Sequence, residues 1–475
     1  MRKTKIIATV GPSCRKSAVL ETLIKHGVDL FRINASHTTS QGLKQWIRRI
    51  RVAARQTRRP IAILVDLQGP RVRTGRLKGG RPLHLKKDKI VSILPTARPG
   101  FEDKITTPCL PFPKMVKPGD RILLDNGLME LAVNALKGHE VVCRVVAGGR
   151  LGENKGINLP NAPVTLPALS LKDQIDLRIA TEAGVDYVAL SFVRSAEDIL
   201  TIKRWLKRHH QNVPVIAKIE KPMAVASFSS ILEVADGIMV ARGDLGIEMG
   251  VEKVPVIQKE LIAEANRTHL PVITATQMLE SMIDQPHPTR AEASDIANAV
   301  FDGTDAVMLS GETAIGKYPL ESIQMMSKII LDAERHLGEI QAPALSWETS
   351  PKEDLPIQAI THAARHAAKD LGAKAIIVFT LTGKTAAFLC KFRPLAPIIA
   401  MTPTEAISRR LSLFRGIFPI RIRYAKSTKA MIQQADQEVM RLRFLKRRDP
   451  VVLLMGRYAL PGTRFMTEVH FIGSV

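Results

Sequence analysis

The sequence is poor in aromatic residues, poor in cysteine and without long apolar runs. Aromatic residues make up 4% of the 475, so the core has to be built mainly from aliphatic side chains. The four cysteines form no C-x-x-C pair, which excludes a zinc knuckle and a disulfide framework. No stretch approaches the roughly 18 apolar residues that a membrane span requires. We therefore expect a cytoplasmic protein with no membrane association.

Acidic residues are scarce compared with basic ones. Lys and Arg number 69 against 45 Asp and Glu, which gives a net charge of +24. This excess of positive charge could serve binding to a nucleic acid or a membrane. It is equally explained by a basic surface for phosphate substrates, or by a basic bias of the whole proteome of the source. The densest patches, 204–210 and 441–449, fall in helical or helix-end contexts without interleaved aromatic residues. We therefore expect no specific nucleic-acid binding.

Eight short apolar runs predict the main domain. They are rich in Val and Ile and lack alternation, as expected of parallel strands buried on both faces, and helical patterns separate them. The runs are 4–10, 30–34, 61–66, 187–192, 215–220, 237–244, 272–277 and 306–312. Eight βα units predict an α/β fold of the (β/α)8 TIM-barrel type.

The composition and the hydrophobic pattern of the sequence change at two points along the chain. A stretch rich in Gly and Pro, with short alternating strands, predicts a small β-barrel domain inserted as a lid. A Pro- and Ser-containing linker, 341–356, precedes a second series of alternating predicted strands and helices, which predicts a C-terminal α/β domain. The expected divisions are 1–69 and 169–343 for the barrel, 70–168 for the lid, and 344–475 for the C-terminal regulatory domain.

Polar residues follow the predicted barrel strands, where barrel active sites lie. Glu220 and Asp244, at the ends of neighbouring strands, are candidate ligands of one Mg²⁺ or Mn²⁺ ion. Lys218, two residues before Glu220, can place a positive charge beside a phosphoryl group or an enolate. Arg32 is a natural phosphoryl anchor, and Thr276 offers a hydroxyl for proton transfer or carboxylate binding. Further candidates are the oxygens of Asn34, Ser36 and Asp66 for a cation and the lid residue Lys155 for nucleotide phosphates.

A run of motifs resembles the pyruvate kinase family across the barrel and lid, and more loosely in the C-terminal domain. The motifs are TKIIATVGPS, RINASH, VDLQGPRVRTG, KGINLP, YVALSFVRSAED, KIE, GIMVARGDLG, ITATQMLESM, PTRAEASDIANAV and DGTDAVMLSGETAIGKYP. The resemblance implies a glycolytic transferase that moves the phosphoryl group of phosphoenolpyruvate to ADP, and a homotetramer.

The resemblance also implies residue roles. Glu220 and Asp244 hold Mg²⁺, Lys218 stabilises the phosphoryl group in flight and the enolate, and Arg32 grips the phosphoryl group. The residues implied to surround the substrate are Ala241, Arg242, Gly243, Asp244 and Thr276. Those implied to deliver the proton are Thr276, Ser310 and Glu312. Those implied to contact the nucleotide are Asn34, His37, Arg73 and Lys155.

One departure from the family concerns K⁺. Most members read Asp-Thr-Lys-Gly-Pro-Glu after the third strand, whereas residues 66–71 here read Asp-Leu-Gln-Gly-Pro-Arg. The implied monovalent-cation site is Asn34, Ser36, Asp66 and Leu67. A guanidinium at Arg71 would supply the charge of that ion, so the sequence resembles the K⁺-independent branch and K⁺ is not expected to be required. The alternative is that Arg71 points to solvent.

The C-terminal domain carries a loop similar to the family's effector-phosphate loop. Its residues are Thr380, Thr382, Gly383, Lys384 and Thr385. A backbone nest closed by a helix N-terminus would bind a sugar-phosphate or nucleotide effector; the alternative is a vestigial loop.

Two other functions remain open. One is a different Mg²⁺-dependent barrel enzyme acting on an enolate, which would not need ADP. The other is a non-catalytic polyanion binder, which would tolerate loss of Lys218 and bind RNA with strong salt dependence.

Overall fold

The computed structural model describes residues 1–160, 166–337, 354–425, 427–455 and 465–474. Most of the predicted linker and the expected boundary at 343/344 lie outside them. No helix among these residues is both long and apolar enough to cross a bilayer.

The main domain is a closed barrel of eight parallel strands, as predicted. Its strands are Lys5–Thr9, Leu30–Asn34, Ala62–Leu67, Tyr187–Leu190, Val215–Ile219, Gly237–Ala241, Val272–Ala275 and Ala306–Leu309. Nearly every strand residue is buried, because side chains face either the barrel interior or the surrounding helices. Polar residues such as Asp66 and Lys218 interrupt these apolar strands towards their carboxyl ends, and that is where the site lies.

Helices surround the barrel. They are Ser17–Lys25, Ser40–Thr57, Leu171–Glu182, Ala196–Arg208, Pro222–Ala226, Phe228–Val234, Arg242–Met249, Val254–Arg267, Arg290–Asp302, Gly311–Ala314 and Pro319–His336. Several begin at a capping side chain, for example Ser170 and Thr289, each with an acidic partner three residues on. The run predicted as a strand over 237–244 ends at Ala241, and Arg242 to Asp244 form the first helical turn instead.

The inserted domain is a small β structure, and its main sheet has seven strands. The seven strands, in spatial order, are Val72–Arg73, Gly156–Asn158, Arg121–Leu124, Met129–Lys137, Glu140–Ala147, Ile90–Pro95 and Lys104–Thr107. A two-stranded sheet joins Leu83–Leu85 to Gly149–Leu151. The sheet curls until its two edges meet, where Gly75 N–H donates to the Thr106 carbonyl at 2.6 Å. The edge strand is only two residues long, so this contact does not extend into a ladder.

The C-terminal domain is a five-stranded sheet covered by helices. In spatial order the strands are Ile417–Arg421, Ile398–Thr402, Ala375–Phe379, Pro450–Met455 and Met466–Phe471. The first four are parallel, as predicted, and the fifth pairs antiparallel. Its helices are Leu355–Asp370, Lys384–Lys391, Glu405–Leu411 and Thr428–Arg441.

Candidate active site

A buried lysine lies at the centre of the barrel mouth. Lys218 Nζ is 2.9 Å from Glu220 Oε1 and 3.3 Å from Asp66 Oδ2, and it donates to Ser191 Oγ at 2.7 Å. Burial alone would lower the pKa of Lys218, but the charges of Asp66 and Glu220 outweigh burial and raise it. The ammonium group therefore stays charged, and its attraction is available to an anionic substrate.

Arg32 completes this charged cluster from the second barrel strand. Its Nε donates to Asp66 Oδ2 at 2.8 Å, and its Nη1 donates to Thr9 Oγ1 at 3.2 Å. Burial works to raise the pKa of Asp66, but Lys218 and Arg32 together hold it below its ordinary value. Asp66 is thus an ionised carboxylate that orients both cations.

Glu220 and Asp244 form the pair predicted to hold a divalent cation. Burial raises the pKa of Glu220, Lys218 opposes this, and the nearby Asp244 raises it further. Glu220 Oε2 also accepts from the Phe192 N–H at 2.8 Å. A buried carboxylate whose ionised form is disfavoured by a second carboxylate nearby suits a hard divalent cation. No group of three or more His, Cys, Asp or Glu fit to hold a metal occurs in the described chain, so substrate and water would complete the coordination.

Thr276 has a left-handed backbone, with a φ of 71°. Its hydroxyl donates to the Ala275 carbonyl at 2.6 Å and accepts from the Gly243 N–H at 2.8 Å. A β-branched residue in this conformation is strained, which is typical of residues held at functional sites. Thr276 and Gly243 therefore lie together.

The Arg242 side chain is engaged elsewhere. Its guanidinium pairs with Asp295 at 2.6 Å and donates to the Thr276 carbonyl at 2.7 Å. Arg242 is 8% exposed, so any direct contact with substrate falls to the backbone of Ala241 to Gly243. The guanidinium instead holds the Thr276 loop in place.

Glu312 is buried and binds two backbone segments. Its Oε2 accepts from the Ser310 N–H at 2.7 Å and its Oε1 from the Leu279 N–H at 3.0 Å. Burial raises its pKa, and these N–H groups counteract part of the rise. Glu312 thereby links the end of the eighth strand to the loop that follows Thr276.

A cleft of about 1840 Å³ lies between the lid and the barrel mouth. Asp244, Thr276 and Ser310 line its barrel side, and Arg121 and Asn126 line its lid side. Lys218, Arg32 and Glu220 lie beside this cleft but do not line it. The cleft is large enough for a nucleotide together with a small acid.

The candidate nucleotide residues lie near the lid, in a positively charged environment. Arg73 Nη1 donates to the Asn154 carbonyl at 3.3 Å, and Lys155 Nζ is 3.0 Å from Asp125 Oδ2. Burial lowers the pKa of His37, and the charges of three arginines, Arg73 most strongly, lower it further. These groups suit polyphosphate binding.

Two predicted cation-site residues are already engaged by protein groups. Asn34 Oδ1 accepts from the Ser36 N–H at 3.0 Å, and Asp66 Oδ1 accepts from Ser191 Oγ at 3.2 Å. Leu67 is the last residue of the third strand, and its side chain is buried in the barrel core.

The Arg71 side chain is directed to the lid and to Asp244. Its Nη2 donates to Asn126 Oδ1 at 3.1 Å and is 3.7 Å from Asp244 Oδ1, and the guanidinium lies 5.6 Å from the centre of the Phe192 ring. The side chain is 24% exposed, so it does not project freely into solvent.

Sequence reasoning gave no role to Ser191 and Phe192, although both lie in the quoted motif YVALSFVRSAED. It also missed Glu248, which pairs with Lys221 and accepts from Asn158 Nδ2 of the lid at 2.9 Å. A polar residue directly after an apolar strand was the available signal for Ser191. No local signal existed for Glu248, because its partners lie 27 and 90 residues away.

The predicted effector loop begins after the strand Ala375–Phe379. Gly383 has a φ of 87° and donates its N–H to Thr380 Oγ1 at 2.9 Å. Thr380 and Thr385 are about 5% and 4% exposed, and Lys384 pairs with Asp354. The loop has the compact turn that a phosphate nest needs.

A buried lysine, an anchoring arginine and two carboxylates at the mouth of a (β/α)8 barrel define a class of enzyme that acts on an anionic substrate beside a divalent cation. Family models described as "Pyruvate kinase, barrel domain" and "Pyruvate kinase, alpha/beta domain" match residues 1–323 and 358–470. The chain therefore belongs to the pyruvate kinase family and is a transferase.

Individual relatives agree. The chain is 42% identical to a pyruvate kinase of Mycobacterium tuberculosis over 99% of both chains. It is 44% identical to pyruvate kinase 2 of Synechocystis, covering all of this chain and 80% of that one. A solved pyruvate kinase from Cryptosporidium parvum has a TM-score of 0.93 and 34% identity over 99% of this chain and 96% of that one.

Proposed function

We propose that the chain transfers the phosphoryl group of phosphoenolpyruvate to ADP at the Lys218 cluster, giving pyruvate and ATP. The observation that carries this assignment is the buried ammonium of Lys218, held between Asp66 and Glu220 at the barrel mouth. Phosphoryl transfer needs positioning and charge neutralisation more than covalent chemistry. The cluster provides both.

The reaction breaks the bond between phosphorus and the enol oxygen and forms one to a β-phosphate oxygen of ADP. Arg32 and Lys218 face the phosphoryl group and offset its charge during transfer. Lys218 also stabilises the enolate oxygen that is left. Glu220 and Asp244 would hold a divalent cation, which would supply further charge neutralisation. Backbone N–H groups at 241–243 and the Thr276 hydroxyl orient the substrate carboxylate.

The enolate then takes up a proton at its methylene carbon. We assign delivery to water held along Thr276, Ser310 and Glu312, because Thr276 and Ser310 line the cleft and Glu312 fixes the Ser310 backbone. His37, Asn34, Arg73 and Lys155 are assigned to ADP.

The test is pyruvate formation from phosphoenolpyruvate with Mg²⁺, with and without ADP. Pyruvate that requires ADP supports the proposal. ADP-independent turnover would indicate the enolate-lyase alternative instead. If no turnover occurs but RNA binds with a steep salt dependence, the polyanion-binding alternative holds.

We also propose that activity does not require K⁺. The support is the Arg71 guanidinium, which places a positive charge 3.7 Å from Asp244 and is mostly shielded from water. The measurement compares activity in K⁺ with activity in a bulky organic cation at constant ionic strength. A rise of about tenfold or more in K⁺, equivalent to about 1.4 kcal/mol, would refute the proposal.

Three proposals remain, on the location and assembly of the chain, on its domain divisions and on an effector. We propose a cytoplasmic homotetramer with the domain divisions 1–69, 70–168, 169–343 and 344–475, and light scattering after size exclusion tests the assembly. We also propose a sugar-phosphate or nucleotide effector at Thr380, Thr382, Gly383, Lys384 and Thr385. The measurement is cooperativity towards phosphoenolpyruvate. If no such compound changes it in wild type, and if Thr385→Val does not change it either, the loop is vestigial.

A further inference from the structure

A second cavity, of about 600 Å³, lies between the barrel and the C-terminal domain. The last barrel helix, Pro319–His336, and the helix Leu355–Asp370 border it. Its lining includes the cations Lys3, Arg335, Arg365, Lys374, Arg393 and Arg415, and Glu334 is the only acid among the described lining residues. Lys3 precedes the first strand, so this cleft is at the opposite end of the barrel from the active site. Its volume is that of a small-molecule site.

Arg415 is a buried cation without a counter-charge. It is 9% exposed, and its backbone N–H donates to Asp305 Oδ1 at 3.3 Å. Within the described part of the chain, its guanidinium makes no hydrogen bond or ion pair, and Nε is shielded from solvent without a partner. Burying an unpaired charge is costly unless a binding partner neutralises it.

The neighbouring cations are held by neutral groups. Lys3 Nζ donates to the carbonyls of Leu395 at 2.8 Å and Pro394 at 3.3 Å, and Arg393 donates to the Gly303 carbonyl. Burial and the charge of Arg415 lower the pKa of Lys3 to about 8 and that of Arg393 to about 10. The charge of Arg415 therefore disfavours the charged forms of both neighbours.

The nearby carboxylates are already bound. Glu334 accepts from the backbone N–H groups of Lys3 at 2.9 Å and Thr4 at 2.6 Å, and from the Thr4 hydroxyl at 2.8 Å. Asp305 pairs with Lys391 and accepts from the Val272 N–H at 2.9 Å. Full neutralisation of Arg415 therefore has to come from outside the described chain.

We propose that this cleft binds a small phosphorylated metabolite carrying at least two negative charges, with Arg415 as the central anchor. Lys3 and Arg393 flank the phosphate, and Arg335 and Arg365 lie at the helical rim. A phosphate group matches the fork geometry of a guanidinium. The site is separate from the Thr380–Thr385 loop, none of whose residues line the cavity. The proposal does not depend on the residue roles assigned at the barrel mouth.

The test is calorimetric titration of the full-length protein with inorganic pyrophosphate in the absence of divalent cations and of phosphoenolpyruvate, so that neither a cation-bound anion at the barrel mouth nor a second phosphate compound competes for the cleft. We expect Arg415→Met to weaken pyrophosphate binding about tenfold or more, and Arg415→Lys to recover part of the loss. Arg81→Met, which removes an exposed lid arginine, is the matched control and should bind as wild type does. Equal affinity in wild type and Arg415→Met would overturn the proposal.

A stability measurement separates a binding role from a structural one. Without pyrophosphate, Arg415→Met should unfold at no lower urea concentration than wild type, because an uncompensated charge has been removed. A less stable Arg415→Met that binds pyrophosphate normally would identify a structural residue and refute the site. If Arg415→Met does not fold, Arg365→Met at the rim takes its place, and unchanged pyrophosphate affinity there refutes the proposal.

Discussion

Replacing Lys218 by Met should separate catalysis from metal binding. The ammonium group makes three short contacts, to Glu220, Asp66 and Ser191, and methionine preserves most of its volume but none of its charge. Loss of one preorganised charged donor typically lowers kcat about a hundred- to a thousandfold. We expect at least this reduction in pyruvate formation, because Lys218 acts on both the phosphoryl group and the enolate.

Metal affinity should not fall in this variant. Lys218 competes with a divalent cation for Glu220 Oε1, at 2.9 Å, so its removal should leave Mn²⁺ affinity equal or higher. Titration of free Mn²⁺ by electron paramagnetic resonance measures this. Lys317→Met is the control, since Lys317 is exposed and pairs only at the surface with Asp284. Activity within about tenfold of wild type, or weaker Mn²⁺ binding, would refute the reasoning.

Three further predictions concern stability. Burial lowers the pKa of His269 to about 4. The stability that this shift contributes is therefore fully present above the unfolded-state pKa of 6.5 and is lost as the pH falls towards 4. His269→Phe should remove about 3 kcal/mol of this pH dependence of stability. Lys391→Met should lower the free energy of unfolding by about 3–5 kcal/mol, because it leaves the Asp305 carboxylate buried without its paired cation. Gly69→Ala should cost at least about 1–2 kcal/mol and reduce activity, because φ is +67° and the new Cβ would lie 2.4 Å from the Ser191 carbonyl oxygen.

Urea unfolding, followed by circular dichroism, tests all three. For His269→Phe the decisive comparison is the slope of stability against pH, and a slope equal to that of wild type contradicts the pKa argument. For Lys391, the double variant Lys391→Met with Asp305→Asn should lose less than the sum of the two single losses. Additive losses would mean that the pair is not coupled. Wild-type activity in Gly69→Ala would show that Ser191 does not need its present position.

The barrel could be predicted because each of its strands is a local apolar run. All eight runs overlap the observed strands, and both basic patches lie at helix ends, as expected. The fifth C-terminal strand, Met466–Phe471, was missed because it is an edge strand with mixed polarity. Val469 and Phe471 on it are about half exposed, so no apolar run marks it. The hydrogen bond between the two edges of the lid sheet, from the Gly75 N–H to the Thr106 carbonyl, joins residues far apart in the chain and leaves no sequence signal.

The candidate site was predictable where its residues share one short motif. Lys218 and Glu220 lie two residues apart on one strand, and the structure pairs them. The side-chain partner of Arg242 was not predictable, because Asp295 lies 53 residues away on another helix. Long-range pairing of this kind is decided by how the helices pack around the barrel, and not by the local sequence.

The overall charge of the chain does not describe its active site. Arg32, Lys218 and Arg71 bring three positive charges, and Asp66, Glu220 and Asp244 bring three negative ones, so the cluster is close to neutral. An anionic substrate therefore needs a bound cation there, despite the +24 of the whole chain. If Arg71 were replaced by Met, the cluster would carry a net negative charge and should acquire activation by K⁺. Activity of Arg71→Met that stays insensitive to K⁺ would mean that this guanidinium does not take the place of the ion.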